Sequence, residues 1–412
     1  MRFEIVVALR FLREGRFQTG LIVFGVAAGF AVVAYITALV GGLQANTIAR
    51  TLGTQPHVSI RPLQDAPRRA APPLADPSAR SDPAIQDVQV QPRAQRLRSV
   101  DNWGALVPLL ERTPDVVAVS PSATGAGLAR RGEAARAVAL VGVLPDRYDR
   151  IVGLSSRIVA GSMRLGPGEA LIGSELADDL GVGLGDPFTL ASGLGTSDTF
   201  RVAGLFDLGV RDLNRRQVVL PLRASQSLLG LAGGVTSIDL ALTDAFAADA
   251  VAARLRALTG LDAESWMQAN AQLLSALDAQ SVSTGLIRVV VLVVVVLGVS
   301  SVLVVAVTQK RREIGILRAM GATRGQLTRV FLLQGAIIGA AGSAVGAALA
   351  WAMLWAFVTF VKGADGQPLF SFTLAPSLLG GVAAVAMLCG VLAASLPARS
   401  AARLDPAQAI RL

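Results

Sequence analysis

The sequence contains a single histidine, His57, and a single cysteine, Cys389, among 412 residues. Zinc sites of the His/Cys type, Cys-His dyads and internal disulfides need more of these residues than the chain has. A Ser-His-Asp triad through His57 stays open, although a lone histidine is usually a loop or strand residue. We therefore expect no catalytic residue, no metal site and no cofactor.

Lysine is nearly as rare, since the chain has only Lys310 and Lys362. A Walker A loop requires glycine directly before its lysine, and the preceding residues here are Gln309 and Val361. Nucleotide binding by that route is excluded. The net charge of +9 would indicate nucleic acid if basic residues were clustered beside exposed aromatics. The basic clusters instead flank apolar stretches, so no nucleic-acid partner is expected.

Charge is scarce overall, at 16% of residues against 52% apolar residues, with a mean hydropathy of +0.55. Soluble proteins keep the charged fraction near a quarter. Crossing about 30 Å of hydrocarbon takes roughly 20 helical residues, and four stretches are long enough. The predicted transmembrane helices are 20–42, 286–308 with its uncharged part at 289–308, 330–361 and 377–396.

Arginine and lysine are concentrated in three of the segments that border these helices, whereas the short connection 362–376 has only Lys362. The positive-inside rule then places both termini in the cytoplasm. The first apolar stretch is longer than the 7 to 15 residues usual for a signal peptide, so we expect an uncleaved anchor. The predicted segments are a cytoplasmic interfacial helix at 1–19, a cytoplasmic loop at 309–329, a periplasmic loop at 362–376 and a cytoplasmic tail at 397–412.

The long segment 43–285 is predicted to be a periplasmic α+β domain with a mainly antiparallel or mixed sheet, because its connections are too short and irregular for repeated βαβ units. Within it, 62–96 holds seven prolines and is predicted to be a flexible insertion. Asp178 and Asp179 are predicted to lie on an ordinary solvated face of a helix. The predicted elements are helices at 103–112, 174–180 and 245–258, strands at 116–120, 137–143, 170–172, 188–190, 200–206, 218–220 and 237–242, a short strand near 263, and a long helix from 266 into the second span.

The fold class is therefore a membrane protein with four transmembrane α-helices and a large α+β periplasmic domain between the first and second. The most informative loop is KRREIGILRAMGATRGQL at 310–327. Helix is expected from Arg311 to Met320, with Gly321 as the stop and Thr323 as the N-cap of the next helix. Ile314, Leu317 and either Met320 or Gly321 share one face. That face touches the headgroup layer or, alternatively, anchors the helix in a groove of a cytoplasmic partner.

The motif EIGILRAMGAT, followed by FLLQGAIIGAAGSAVG at 331–346, resembles the permease subunits of MacB/Lol-type ABC transporters, the lipoprotein-release permeases in particular. The resemblance covers nearly the whole chain. It extends through PHVSI at 56–60, VVAVSP at 116–121, VALVGVLP at 138–145, EALIGSELADDLGVGLGD at 169–186 and FRVAGLFDLGVRD at 200–212.

The resemblance implies mechanotransmission, in which an ATPase moves the first two spans and these shift the periplasmic domains of a permease dimer. The chain carries no nucleotide-binding domain, so the resemblance implies a separate cytoplasmic ABC ATPase dimer. The other implied partners are a second permease subunit, identical or a paralogue, membrane lipid, and a periplasmic carrier or adaptor. The proline-rich insertion departs from the family pattern. The implied ATPase-coupling helix contains Arg311, Arg312, Glu313, Ile314, Leu317, Arg318 and Gly321.

Two small-xxx-small pairs, Gly335 with Gly339 and Gly342 with Gly346, lie in the third predicted span. Such pairs permit close helix approach, either between subunits or within one. The uncharged stretches hold no Asp, Glu, Lys or Arg, so a polar ion path across the membrane is not expected.

The leading functional hypothesis is a permease subunit that releases lipoproteins, or another lipidated or amphiphilic substrate, from the periplasmic side of the bacterial inner membrane. One alternative is a tripartite efflux permease for a peptide, an antibiotic or a lipid. Another is an FtsX-like transducer that transports nothing and activates a cell-wall hydrolase. A membrane-tethered enzyme is opposed by the lack of a plausible catalytic set.

Overall fold

The computed structural model describes residues 2–63, 98–100, 102–362 and 376–402. The chain divides into two compact units, Met1–Thr47 with Ser275–Leu412, here called the membrane unit, and Ile48–Leu274, here called the head unit. The predicted insertion at 62–96 lies outside the described residues apart from its first two positions. So do nearly all of the predicted loop at 362–376 and most of the tail at 397–412.

Thirteen α-helices occur in the described residues. They are α1 (Arg2–Glu14), α2 (Arg16–Leu52), α3 (Trp103–Glu111), α4 (Pro145–Val152), α5 (Ser174–Leu180), α6 (Arg211–Arg216), α7 (Leu222–Leu228), α8 (Ala248–Thr259), α9 (Trp266–Ala269), α10 (Ala271–Gln309), α11 (Arg311–Ala319), α12 (Arg324–Phe360) and α13 (Pro376–Ala402). Short 3₁₀ turns occur at Leu154–Arg157 and Ala245–Ala247.

Four of these helices are long and apolar enough to cross a membrane, namely α2, α10, α12 and the Ala383–Ser400 part of α13. The predicted spans lie inside the full helices α2, α10, α12 and α13, except that 330–361 ends one residue beyond α12. Both α2 and α10 are much longer than the apolar windows that marked them. Their extra turns are rich in Ala, Gln and Leu, residues with high helix propensity, so the helix continues beyond the apolar stretch.

The inside of the membrane unit is formed by apolar side chains of α2, α10, α12 and α13. Phe30 and Ile338 are each 1% exposed within it. Val26, Val299, Leu303 and Ala393 belong to the same cluster.

The head unit contains ten strands within the described residues, all in one sheet. The strands are β1 (Val58–Arg61), β2 (Val116–Arg131), β3 (Ala134–Val143), β4 (Ile158–Gly161), β5 (Glu169–Gly173), β6 (Pro187–Ser192), β7 (Ser197–Phe206), β8 (Gln217–Pro221), β9 (Ser237–Leu242) and β10 (Asp262–Ser265). Their order in the sheet is β10-β1-β9-β2-β3-β8-β5-β7-β4, with β6 paired to β2 and β7. Only the β3–β8 and β5–β7 pairs are parallel, which confirms the prediction of a mixed sheet.

The longest strand, β2, runs eleven residues past the predicted end at 120. It pairs with β9, β3 and β6 and joins β3 through a turn at Gly132, whose φ is +56°. Its glycines lower strand propensity, which is why the sequence pattern missed this part. At Gly125 the missing side chain leaves room for Leu229, since a Cβ there would lie 2.5 Å from Cδ2 of that leucine.

Other head-unit predictions were incomplete. The elements β1, β4, α4, α6 and α7 were not foreseen, and the helix expected at 245–258 begins as a 3₁₀ turn before α8. The long helix expected from 266 is interrupted at Asn270, whose φ of −111° and ψ of 29° separate α9 from α10. These short elements lack the length that makes helical periodicity readable.

Candidate functional site

The loop predicted to carry the function forms a short helix, α11, between two long ones. It ends at Ala319, Met320 is its C-cap residue, and Gly321 follows with φ +102°, a conformation that favours glycine. Thr323 then caps α12: its Oγ1 accepts from the Gln326 N–H at 3.3 Å, and the Gln326 side chain accepts from the Thr323 N–H at 2.9 Å. This capping box fixes where α12 starts, and both the stop and the cap were predicted.

The apolar face of α11 is used inside the membrane unit. Ile314 is fully buried, and Leu317 packs on the same cluster. In the described residues the Ile314 side chain therefore faces neither the headgroup layer nor a partner's groove, because this chain itself covers it. The cluster, here called the basal cluster, contains Ala8, Phe11, Val307, Ile314, Leu327, Val330, Phe331 and Ala398, with Val7, Leu317 and Leu333 at its edge.

The opposite face of α11 is open. Arg311, Arg312 and Glu313 are exposed, as are Ile316 at 45% and Met320 at 73%. Arg318 is half-buried and makes an interaction of its own. This face offers two unobstructed guanidinium groups beside two apolar side chains, which is a composition suited to protein contact. Ile316 was missed by sequence reasoning because the helical pattern highlighted only the buried stripe.

Lys310, between α10 and α11, makes the densest polar contacts of this region. Its Nζ lies 2.7 Å from Glu14 Oε2 and 3.1 Å from Glu313 Oε2, and 4.6 Å from the centre of the Phe11 ring. Glu14 also accepts from Arg10 Nε at 2.8 Å. The hydrogen bonds from Lys310 and Arg10 lower the pKa of the Glu14 carboxyl to about 2. Burial of Lys310 opposes its charge, but the bonds to Glu14 and Glu313 raise its pKa overall.

The four candidate packing glycines of α12 all face helices of the same chain. A Cβ at Gly335 would collide with the carbonyl oxygen of Gly390 in α13, and one at Gly339 would lie 2.7 Å from that of Ala386. Gly342 and Gly346 face α2 instead, where a Cβ would meet Val26 at 2.5 Å and the carbonyl oxygen of Ala27 at 2.7 Å. Both pairs thus allow close packing within the subunit.

In the head unit, His57 has a structural role. Its Nδ1 accepts the backbone N–H of Leu242 at 2.9 Å, and burial lowers its pKa. Asp178 is exposed, whereas Asp179 is ion-paired 3.0 Å from both Arg136 and Arg215. The Arg136 hydrogen bond, aided by the nearby arginines, lowers the pKa of Asp179. The described part of the chain contains no group of three His, Cys, Asp or Glu side chains that could hold a metal ion.

A buried polar cluster in the head unit was not predicted. Asp239 of β9 accepts from Ser59 Oγ of β1 at 2.6 Å and from Ser122 Oγ of β2 at 2.5 Å. Ser237 lies 2.9 Å from the Ser122 hydroxyl. Burial raises the pKa of Asp239, although both serine bonds and the charge of Arg61 oppose that shift. The cluster joins three neighbouring strands, and its members Ser59, Ser237 and Asp239 line a cleft of about 800 Å³. Only the alternation of Ser237 and Asp239 along β9 signalled it.

Two protein families match the chain. Residues 19–258, more than half of its length, match the MacB-like periplasmic core domain. Residues 285–406 match the FtsX-like permease C-terminal domain. The first match contains most of the head unit, and the second contains α11, α12 and α13.

Individual relatives are similar over different lengths. The lipoprotein-releasing system transmembrane protein LolC of Xylella fastidiosa is 27% identical over 99% of this chain and 98% of its own. The macrolide export ATP-binding/permease protein MacB of Chromobacterium violaceum is 35% identical, over 32% of this chain and 20% of its own. Among solved structures, the periplasmic region of MacB from Actinobacillus actinomycetemcomitans is 13% identical, with a TM-score of 0.34, and covers 55% of this chain and 95% of that one.

The segment order of the described chain agrees with both family matches: one long apolar helix, a mixed-sheet domain, and three further apolar helices with α11 between the first two of them. The chain belongs to the MacB/Lol family of ABC transporter permeases, in which a MacB-like periplasmic core domain is joined to an FtsX-like permease domain.

Proposed function

We propose that this chain is the transmembrane subunit of an ABC transporter that releases lipoproteins, or another lipidated substrate, from the periplasmic side of the bacterial inner membrane. The observation that carries this proposal is the end-to-end similarity to LolC, which covers 99% of this chain and 98% of the relative. A shared cargo is best supported where the substrate-facing domain and the membrane helices are both matched.

Efflux through an adaptor is the second candidate. It is favoured by the MacB-like periplasmic core match at 19–258 and by the higher local identity to MacB. That identity, however, spans only 32% of this chain, so it supports a shared drive mechanism more than a shared cargo. An FtsX-like transducer that acts on a cell-wall hydrolase is the third candidate. It is tested by asking whether a cell-wall hydrolase is a partner of this chain.

The proposed drive is an ABC ATPase in a separate subunit. Neither Lys310 nor Lys362 follows a glycine, so neither residue can complete a Walker A loop. The permease then has no hydrolytic role of its own. It pairs with a second permease subunit, its termini and α11 face the cytoplasm, and a periplasmic carrier or adaptor accepts the cargo.

The proposed docking surface is the exposed face of α11, formed by Arg311, Arg312, Ile316 and Met320. Two arginines that point away from the basal cluster can form charge-assisted hydrogen bonds with acidic groups of the ATPase. Ile314 and Leu317 have a different role in α11, because they hold this helix against the rest of the membrane unit. Gly321 ends the helix so that α12 starts in a new direction.

A release assay tests the proposal. The chain is co-expressed with an ABC ATPase and a second permease subunit, purified, and reconstituted in liposomes that contain a fluorescent triacylated lipoprotein. ATP together with a soluble lipoprotein-binding carrier is expected to transfer the lipoprotein to the aqueous phase, while a non-acylated form of the same protein gives the background. ATP-dependent extrusion of a macrolide or peptide without lipoprotein release would instead assign efflux.

A further inference from the structure

The cytoplasmic ends of the first two membrane helices are joined by one side chain. Glu14 ends α1, two residues before α2 begins at Arg16, and Lys310 lies between α10 and α11. The 2.7 Å contact between Glu14 and Lys310 therefore links two chain junctions that are 296 positions apart. Beside it, Gln18 of α2 donates to Gln309 of α10 at 2.7 Å. We name Lys310, Glu14, Glu313 and Phe11 the lysine clamp.

The clamp has features that an ordinary surface ion pair lacks. The Lys310 side chain is only 22% exposed, and its ammonium is shared between a carboxylate on α1, a carboxylate on α11 and the Phe11 ring. Isolated exposed pairs contribute little, because two long side chains must be ordered in a high-dielectric medium. Here most of the lysine side chain is covered by its neighbours, so forming the ion pairs orders less of it than in an exposed pair.

Apolar contacts next to the clamp pack α1 and α11 into the same buried cluster. Phe11 of α1 and Ile314 of α11 both belong to the basal cluster, together with Val330 and Phe331 of α12. Phe11 and Phe331 pack with ring centres 6.4 Å apart. The ammonium thus lies at the polar edge of a buried contact that α1, α11 and α12 share.

We propose that Lys310 is a positioning residue that fixes the coupling helix α11 to α1, so that a force on α11 reaches α2 through the clamp as well as α10 through the chain. This inference rests on the proposed ATPase-coupled function and extends it. The ATPase would contact Arg311 and Arg312, whereas Lys310 would contact only its own chain. Loss of the clamp would then leave the ATPase bound while its stimulation by cargo falls.

A double-mutant cycle in the reconstituted complex tests this role. Lys310→Met and Glu14→Gln are each expected to lower cargo-stimulated ATP hydrolysis roughly fivefold, the lower end of usual coupling free energies. The ATPase should still copurify at wild-type stoichiometry. Since both residues act as one unit, the double variant should lose no more than either single variant. Lys310→Arg keeps the charge and should retain most of the stimulation.

The chain offers a matched control. Lys362→Met removes the other lysine, at the far end of α12, and changes the net charge equally. Its stimulation should equal that of the wild type. Three outcomes would each overturn the proposal. The double variant could lose as much stimulation as the product of the two single losses, Lys310→Met could leave stimulation unchanged, or the ATPase could be lost from the Lys310→Met complex.

A second measurement needs no ATPase and so separates failure of the clamp from failure of the proposed function. Spin labels are placed at two exposed positions, Arg13 in α1 and Ala319 in α11, in a Cys389→Ala background. The chain alone, in lipid nanodiscs, is expected to give a narrow distance distribution that broadens with Lys310→Met and stays narrow with Lys310→Arg. An unbroadened distribution in Lys310→Met would overturn the clamp even if lipoprotein release is established. If the distance distribution broadens in Lys310→Met but no lipoprotein is released in the release assay, the clamp is supported and the proposed function is rejected.

Discussion

Gly335 of α12 and Gly390 of α13 face each other so closely that a Cβ on either would collide with the carbonyl oxygen of the other. The relationship is reciprocal, so neither helix can take a larger residue without moving. Two helices that approach to this distance gain van der Waals contact along their backbones, which is the main attraction available between helices in lipid. The α12–α13 pair is therefore a fixed part of the membrane unit.

Gly335→Ala should destabilise the membrane unit. The added methyl group forces α12 and α13 apart, and overpacking of this kind costs about 1–3 kcal/mol. The detergent-solubilised variant is expected to unfold at a lower midpoint temperature than the wild type. Size-exclusion chromatography after heating measures the fraction that stays folded. Gly298→Ala in α10 is the control, because a Cβ there meets nothing within 4 Å. Equal midpoints for both variants would contradict the close contact.

The two faces of α11 should respond differently to substitution. Arg311→Glu combined with Arg312→Glu reverses two exposed charges and is expected to reduce ATPase copurification by about tenfold or more, as for hot-spot residues of interfaces. Insertion and unfolding midpoint should stay at wild-type values. Leu317→Asp, by contrast, places a charge against the basal cluster and should lower the yield of folded chain. If Leu317→Asp folds normally and removes only the ATPase, the assignment of the two faces is wrong.

Membrane topology gives a third test. In a Cys389→Ala background, Arg312→Cys should be protected from an impermeant maleimide in intact cells and labelled after the membrane is opened. Glu133→Cys, at the exposed turn between β2 and β3, should be labelled in cells whose outer membrane is permeable to the reagent. Labelling of position 312 from outside the cell would show that the orientation is the opposite of the proposed one.

Asp239 should make the stability of the head unit depend on pH. Burial raises its folded-state pKa above the unfolded value. The unfolded chain therefore releases its proton first, and the contribution of Asp239 is greatest at pH values below its ordinary pKa and falls as pH rises through the raised one. Tyr148 lines the same cleft as Asp239, and burial raises the pKa of its hydroxyl to about 12, so it does not titrate over that range.

Asp239→Asn mimics the protonated carboxyl and keeps an acceptor for a serine, so its unfolding midpoint should match the wild type at pH 4 and exceed it increasingly as pH rises to 8. Asp239→Ala should be less stable at every pH, by about 1–3 kcal/mol, because buried serine hydroxyls lose their acceptor. Scanning calorimetry of the full-length chain across this pH range measures both. A wild-type midpoint that rises with pH relative to Asp239→Asn would contradict a raised pKa for the buried carboxyl.

Much of this molecule could be predicted from local features of the sequence. Long uncharged runs mark the four helices that can cross a membrane, and Gly321 with Thr323 marks the end of α11 and the start of α12. Each signal acts within a few residues, because hydropathy, capping and left-handed backbone conformations depend on near neighbours. The motif around Ile314 likewise indicated the family before any geometry was known.

Relations between distant residues were decided only by the tertiary structure. Hydrophobic periodicity showed that Ile314 and Leu317 share a face of α11, but α1 and α12 determine that this face is covered. The partner of Lys310 is Glu14, 296 positions away, and the length of β2 depends on three other strands. Asp239 became a buried acid because β1 and β2 flank its strand. Pattern within a segment specifies the element, whereas burial and pairing depend on what the rest of the chain brings to it.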